Sequence, residues 1–247
     1  MADSDLGWCM ANALSKQLKN LAVIVEEPEA KSDIIRRRAR LLGWSPALSQ
    51  AACGLFVRYA KGTQAKLRVA SICKQADLDP SPNPGLNIYR VRSVNSEDCR
   101  TLLRNLRPKV VAVYGTRIIK PATLECIPAP FINYHAGINP KYRGQHPAYW
   151  ALSDGDRENA GITIHLVDSG VDTGGVLYQR QVHFEREDTL LTYQWVQISS
   201  AIPLFLQAIA EARENRMCVI PVDLPSRQYF PPTFGQYLRH GLTVGVW

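Results

Sequence analysis

The chain has 247 residues, 46% of them hydrophobic and 21% charged. That length holds one domain, or a domain with an appendage, and buries a core without metal or disulfide staples. It excludes disordered, collagen-like and low-complexity classes. The net charge is +7, a balance that points to nucleic acid, phosphorylated ligands or anionic surfaces as partners. The excess is local. Residues 1–109 carry 18 basic against 10 acidic side chains, residues 110–180 carry 6 of each, and residues 181–247 carry 5 against 6. Within 31–74 stand ten bases and one acid, Asp33. Confinement to one stretch argues against a general nucleic-acid partner.

In chain order, residues 8–19 have a helical pattern and Leu21–Val25 reads as a strand. Ser32 can cap a helix that ends at Gly43, and Pro46 can start another through Tyr59. Residues 64–75 are ambiguous, with helix favoured. The segment Asp79–Gly85 is a loop, with three prolines and a glycine. Asn87–Val91 is a strand, Ser96 caps a helix, and Lys109–Tyr114 and Phe131–Asn133 are further strands. A short helix over Pro147–Ser153 follows. Gly161–Val167 and Val176–Val182 are strands across a glycine-rich turn, and Thr189–Glu214 is a long helix. Alternation of strands and helices predicts an α/β fold, a Rossmann-like, mostly parallel sheet with crossover helices. The chain opens on a helix, where a doubly wound fold opens on a strand. The first strand is therefore expected to be missing, through a late start or a variant sheet.

The six cysteines form no C-x-x-C pair and no zinc spacing. Scattered thiols and an acidic start, with Asp3 and Asp5, give a cytoplasmic reading.

Chemistry concentrates in 131–178. Asn133 and His135 share one face of a strand, because residues i and i+2 point together. A carboxamide can donate to a developing oxyanion, and an imidazole can move a proton near neutral pH. The turn Asp168–Gly175 offers two carboxylates, either of which could fix the His135 tautomer. Alone, an N-x-H tripeptide is more often structural, Asp172 suits a turn, His165 suits a strand interior, and Arg143 suits a solvated loop.

In combination these residues resemble the catalytic domain of the 10-formyltetrahydrofolate-dependent formyltransferases. The resemblance rests on Asn133-x-His135, Pro140, Tyr142-Arg143-Gly144, Pro147, Ala151-Leu152, Gly155, Gly161–His165 and Asp172-Thr173-Gly174. Gly115-Thr116-Arg117-Ile118-Ile119 stands upstream at a family-like interval. It covers 87–185 well, the flanks loosely and 28–80 hardly at all. It implies an enzyme with Asn133, His135 and Asp172 as catalytic residues and no metal. Formyl-folate would be the donor, held by Arg117, Ile118, Ile119, Val167, Asp168 and Val171. Arg143, Gly144, His146 and Tyr149 would touch the acceptor.

Among acceptors, the resemblance favours the amine of a small phosphorylated molecule, glycinamide ribonucleotide or an amino-sugar nucleotide. About thirty residues follow Glu214, fewer than the RNA-binding barrel of the methionyl-tRNA enzymes, which lowers that reading. A formyl-folate hydrolase and an impaired binding relative stay open. The expected organisation is a catalytic domain over 1–215, with a basic helical insertion at 31–75, and a tail over 216–247. The insertion suits a solvated cover, a peripheral contact with an anionic membrane, or a clamp on a phosphorylated acceptor. The aromatic tail suits internal packing or a homodimer.

Overall fold

A computed structural model describes residues 1–247. Helix α1 (Asp5–Ser15) begins where the Ser4 hydroxyl accepts from the Gly7 N–H. It is buried on most sides, and strand β1 (Ala22–Glu26) follows. Helices α2 (Lys31–Leu42) and α3 (Trp44–Gln75) are separated by Gly43 and contact each other. Strand β2 (Asn87–Val91) runs parallel to β1 in a two-stranded sheet. Helix α4 (Glu97–Leu106) has the expected cap, with the Ser96 hydroxyl accepting from Cys99 N–H.

The second sheet has four strands: β3 (Val111–Val113), β4 (Phe131–His135), β6 (Gly161–Leu166) and β7 (Val176–Gln181). Between β3 and β4 lies the one-turn helix α5 (Pro121–Leu124). The short strand β5 (Arg143–Gly144) and helix α6 (Pro147–Ser153) lie between β4 and β6. β3 and β4 are parallel, while β4–β6 and β6–β7 are antiparallel. The expected parallel order therefore holds only for the first half. The turn from Leu166 to Val176 is too short for a crossover helix, so β6 and β7 must run antiparallel. Helix α7 (Tyr193–Arg213) packs on this sheet, and its Ile198, Ala201, Phe205 and Ala208 are fully buried against Ile132, Ile162 and Ile164. The chain closes with β8 (Gln228–Tyr229), parallel to β5, and α8 (Phe234–Val244), opened by a Thr233–Gln236 capping box.

The basic stretch differs most from its expectation. Ser32 caps nothing. Residues 44–75 form one continuous helix through Gly54 and Gly62, each of which costs about 1 kcal/mol against Ala. Val57, Ala65 and Ile72 are buried along it at spacings near whole numbers of turns, so packing outweighs local propensity. α3 lies against α7 and α8. Arg68 secures it: its guanidinium holds Asp188 through two hydrogen bonds, Nε–Oδ1 at 2.9 Å and Nη2–Oδ2 at 3.2 Å. The Asp188 side chain is 0% exposed and also accepts from the Glu185 N–H. Removing one partner of a buried pair strands the other charge. Arg68→Ala is therefore expected to lower unfolding free energy by about 3 kcal/mol. Urea titration checks this, and the Arg68→Ala/Asp188→Ala double variant should lose less than the sum of the singles.

The tail folds back onto α6 and the loop before it. Tyr229 stacks on Tyr142 and Trp150, and Tyr237 and Trp247 pack together beside Tyr149. No helix is long and apolar enough to cross a membrane.

Candidate active site

β4 and β6 pair antiparallel in a register that sets Asn133 across from His165 and His135 across from Thr163. This register builds the site. Alternation places Asn133 and His135 on one face, and the cross-strand partner brings His165 beside them. Asp172 arrives from the β6–β7 turn, in the left-handed conformation at φ 53°, which an Asp tolerates. The turn closes tightly: a Cβ on Gly174 would lie 1.8 Å from the Leu166 carbonyl oxygen.

Asp172 stands between the two imidazoles. Its Oδ2 is 3.4 Å from His135 Nδ1, and its Oδ1 is 3.6 Å from His165 Nε2. The Gly144 N–H donates to Oδ2 at 3.0 Å. Burial alone would raise the Asp172 pKa, but the histidines and the Gly144 amide outweigh it and hold the carboxyl at about 2.

The proton positions follow from the acceptors. The Leu166 carbonyl, 2.7 Å from His165 Nδ1, can only accept, so Nδ1 carries the hydrogen. His165 Nε2 then accepts from the Asn133 carboxamide N–H at 3.1 Å. This leaves the second Asn133 N–H for a ligand. Likewise His135 Nε2 donates to the Tyr142 carbonyl at 2.8 Å. Its Nδ1 lone pair faces Asp172. Protonated, His135 would have both N–H groups partnered; neutral, only one. Burial nevertheless pushes its pKa below the ordinary value, against the pull of Asp172. At neutral pH the site therefore holds a neutral imidazole poised to gain a proton. Activity carried by this base should rise through a single ionisation with its midpoint below pH 6.5 and stay level through neutrality. A pH profile of kcat/KM checks this; a midpoint above 7 would contradict it.

Buried polar side chains fix the loop after His135. Thr163 Oγ1 donates to the Gly137 carbonyl at 2.6 Å and accepts from the Asn139 N–H at 3.0 Å. Gln197 Nε2 donates to the Ala136 and Gly161 carbonyls.

The other expected site residues divide. Gly144 lies in β5 and touches Asp172 directly. Arg143 is held in place, Nη1 donating to the Val171 carbonyl at 2.7 Å and Nε to Ser226 Oγ at 3.0 Å. Val171, expected among the residues that hold the donor, has its carbonyl engaged by this contact. His146, at the start of α6, is pushed down to about 4 by burial and by the Arg38 charge. Tyr149 is a correction. It is 0% exposed, its hydroxyl pairs with His240 Nδ1, and it packs among Cys53, Trp150 and Tyr237. It supports the α6–α8 core and cannot reach an acceptor.

Near the expected donor cradle, Arg117 turns away to Glu26, with Nη1–Oε1 at 2.6 Å, and to the Arg92 and Glu27 carbonyls. Ile118 is 59% exposed, whereas Ile119 is buried with Val113 and Phe131, and Val167 packs on the same cluster. Asp168 caps its own turn through Thr173 and Gly170. The Arg117 and Asp168 side chains are thus both engaged within the protein.

His165 is the residue that sequence reasoning missed. Its signal was its place on β6, alternating with Thr163 on the strand that pairs with β4. Losing it should free the Asn133 carboxamide. His165→Ala is expected to lower kcat about 10²-fold with little change in KM, since a small misplacement costs that much. His165→Gln, whose carbonyl can accept the same N–H, should recover part of the rate.

A family model described as formyl transferase matches residues 57–197. The methionyl-tRNA formyltransferase of Pelotomaculum thermopropionicum is 40% identical over 148 residues, 59% of this chain and 46% of that protein. The enzyme of the same name from Halothermothrix orenii is 35% identical over 131 residues, 52% of this chain and 39% of that protein. The chain thus spans under half the length of these relatives. Glycinamide ribonucleotide transformylase 1 of Symbiobacterium toebii superposes with a TM-score of 0.55 at 17% identity, over 88% of this chain and 86% of that one. A sugar N-formyltransferase from a Shewanella species superposes with a TM-score of 0.50 at 18% identity, over 68% and 71%. At those identities the two structures show the fold. The chain belongs to the formyl transferase family.

Proposed function

We propose that the protein transfers a formyl group from 10-formyltetrahydrofolate to a primary amine. The observation that carries this reading is the joining of Asn133, His135 and Asp172 at one point, with a carboxamide N–H left free. Asn133 donates to the formyl oxygen as it becomes an oxyanion. The amine nitrogen bonds to the formyl carbon and carries an excess proton. His135 Nδ1 takes that proton, and the imidazolium is held by Asp172 and the Tyr142 carbonyl. The same proton passes to the folate nitrogen as its bond to the formyl carbon breaks. The products are an N-formyl amine and tetrahydrofolate.

The acceptor is an amine on a phosphate-bearing molecule. Support comes from Arg38, whose Nη2 donates to Gln145 at 2.9 Å next to His146. A small nucleotide fits this chemistry. So does an aminoacyl-tRNA, a reading that the names of the sequence relatives favour. The experiment follows tetrahydrofolate release with glycinamide ribonucleotide, an amino-sugar nucleotide and methionyl-tRNA in turn. Release that depends on one of them identifies the acceptor. Release without any amine would make the protein a hydrolase and overturn the transferase reading.

A further inference from the structure

Helix α3 buries one side and leaves an apolar line on another. Ala47, Cys53, Val57, Ala65 and Ile72 are buried along it, and α7 and α8 pack against it. Trp44, Leu48, Leu55 and Tyr59 are each more than half exposed, Tyr59 at 93%. None of these four belongs to a buried hydrophobic cluster. At about 100° per residue they lie, with Ala51 among them, inside an arc of roughly 80°, along about 22 Å of helix. Exposed apolar residues standing singly are ordinary, whereas a continuous line of them marks a contact surface.

Spacing and charge say what fits there. From Trp44 through Leu48, Ala51 and Leu55 to Tyr59 the steps are four, three, four and four residues, the interval of a seam between two helices. The line is narrower than the face of about 100° or more by which a helix beds into a core. Residues 34–76 contain no acidic residue. The ion pairs of this stretch use Arg36, Arg37 and Arg68, which leaves Arg40, Arg58 and Lys66 without a carboxylate. Arg40, with Arg36 and Trp44, lines a surface groove of about 310 Å³. Helical spacing puts Arg58 at the edge of the line and Lys66 on its continuation beyond Tyr59. In a helix lying on a lipid surface the bases occupy the polar face, away from the apolar one; here they share the apolar side. A second copy of this face would set cation against cation.

We propose that this face of α3 is a docking surface for an acidic amphipathic helix of a partner protein. The apolar residues of that helix, three and four apart, lie along the line from Trp44 to Tyr59. Its glutamates or aspartates meet Arg40, Arg58 and Lys66, which supplies register and excludes basic helices. The small Ala51 at the centre lets the two backbones come close. Asn133, His135 and Asp172 lie on other elements, so docking and turnover are separable.

The test uses the full chain and a fluorescently labelled synthetic peptide of about 21 residues, built from Glu-Leu-Ala-Gln-Leu-Glu-Gln heptads. Its leucines form a seam, and its glutamates border that seam and keep the peptide from pairing with itself. The controls are a scrambled peptide of the same composition and a version with lysine for glutamate. Fluorescence anisotropy should show the acidic peptide binding at least about tenfold more tightly than either control. Leu48→Ser/Leu55→Ser should weaken it by more than about tenfold, with Tm within about 3 °C of the parent because both side chains are exposed. Arg58→Glu/Lys66→Glu should weaken the acidic peptide and strengthen the lysine version. No binding, equal binding of the ordered and scrambled acidic peptides, or binding that both double variants retain would overturn the proposal. So would sedimentation with phosphatidylglycerol vesicles that Leu48→Ser/Leu55→Ser abolishes, because the occupant would then be a lipid surface. A dimer of the free chain that is lost in the same variant would overturn it too, by making the occupant a second copy.

Discussion

Asp172→Asn should lower kcat about 10³-fold while leaving the fold intact. The asparagine keeps the shape of the carboxylate, and its carbonyl can still accept from the Gly144 N–H, so the turn and β5 stay in place. What disappears is the negative charge 3.4 Å from His135 Nδ1. Neutral His135 loses little. Its protonated form, which at neutral pH arises during turnover, loses the partner that offsets burial. The defect should therefore appear in kcat more than in KM. The charge also contributes stability. Asp172 has a folded pKa of about 2, below the roughly 3.9 of an unfolded aspartate. Its contribution, on the order of 2 kcal/mol, is complete above pH ~4 and fades as pH falls toward 2. The variant should lack this acid limb. Steady-state kinetics and urea unfolding at pH 3 and 6 check both halves. A variant within tenfold of the parent rate would remove Asp172 from the chemistry.

Gly144→Ala should cost more than about 4 kcal/mol and abolish turnover in whatever fraction remains folded. Gly144 has φ 90°, and a Cβ there would lie 2.3 Å from the Tyr229 carbonyl oxygen. Both faults act at the β5–β8 pairing, where Gln145 N–H also donates to Tyr229 at 3.0 Å. Relief requires β8 to move, and Tyr229 is stacked between Tyr142 and Trp150. Alternatively β5 moves and withdraws the amide that holds Asp172. Thermal unfolding with single-turnover kinetics separates these routes. A variant as stable as the parent would show that β8 yields freely.

Much of the site was legible because its chemistry is local. Asn133 and His135 sit two apart on a strand, so alternation put them on one face; the glycine-rich turn offered both Asp168 and Asp172, and only the resemblance to the family singled out Asp172. His165 was not legible. Its role depends on strand register, which a sequence pattern does not fix until the partner strand is known. Tyr149 erred the other way. A tyrosine at a helix start reads as a contact residue, but α8 returns from ninety residues later and buries it. Arg117 was placed near the donor by position, yet its guanidinium completes a buried carboxylate, Glu26, on another strand. The continuity of α3 escaped because Gly62 interrupts the local pattern after Tyr59, while distant contacts with α7 and α8 sustain the helix. The charged stretch that dominates the composition proved partly structural: Arg68 ties a helix to a loop, and Arg38 of α2 reaches Gln145 beside His146.

The most direct test of the account follows a ¹³C-labelled formyl group on 10-formyltetrahydrofolate in a single turnover with the acceptor amine. The label should move to an N-formyl amide on the acceptor, with an equal amount of tetrahydrofolate formed, and His135→Ala should leave it on the donor. Label that stays on the folate with every amine, or transfer that proceeds equally in His135→Ala, would contradict the assignment of this site.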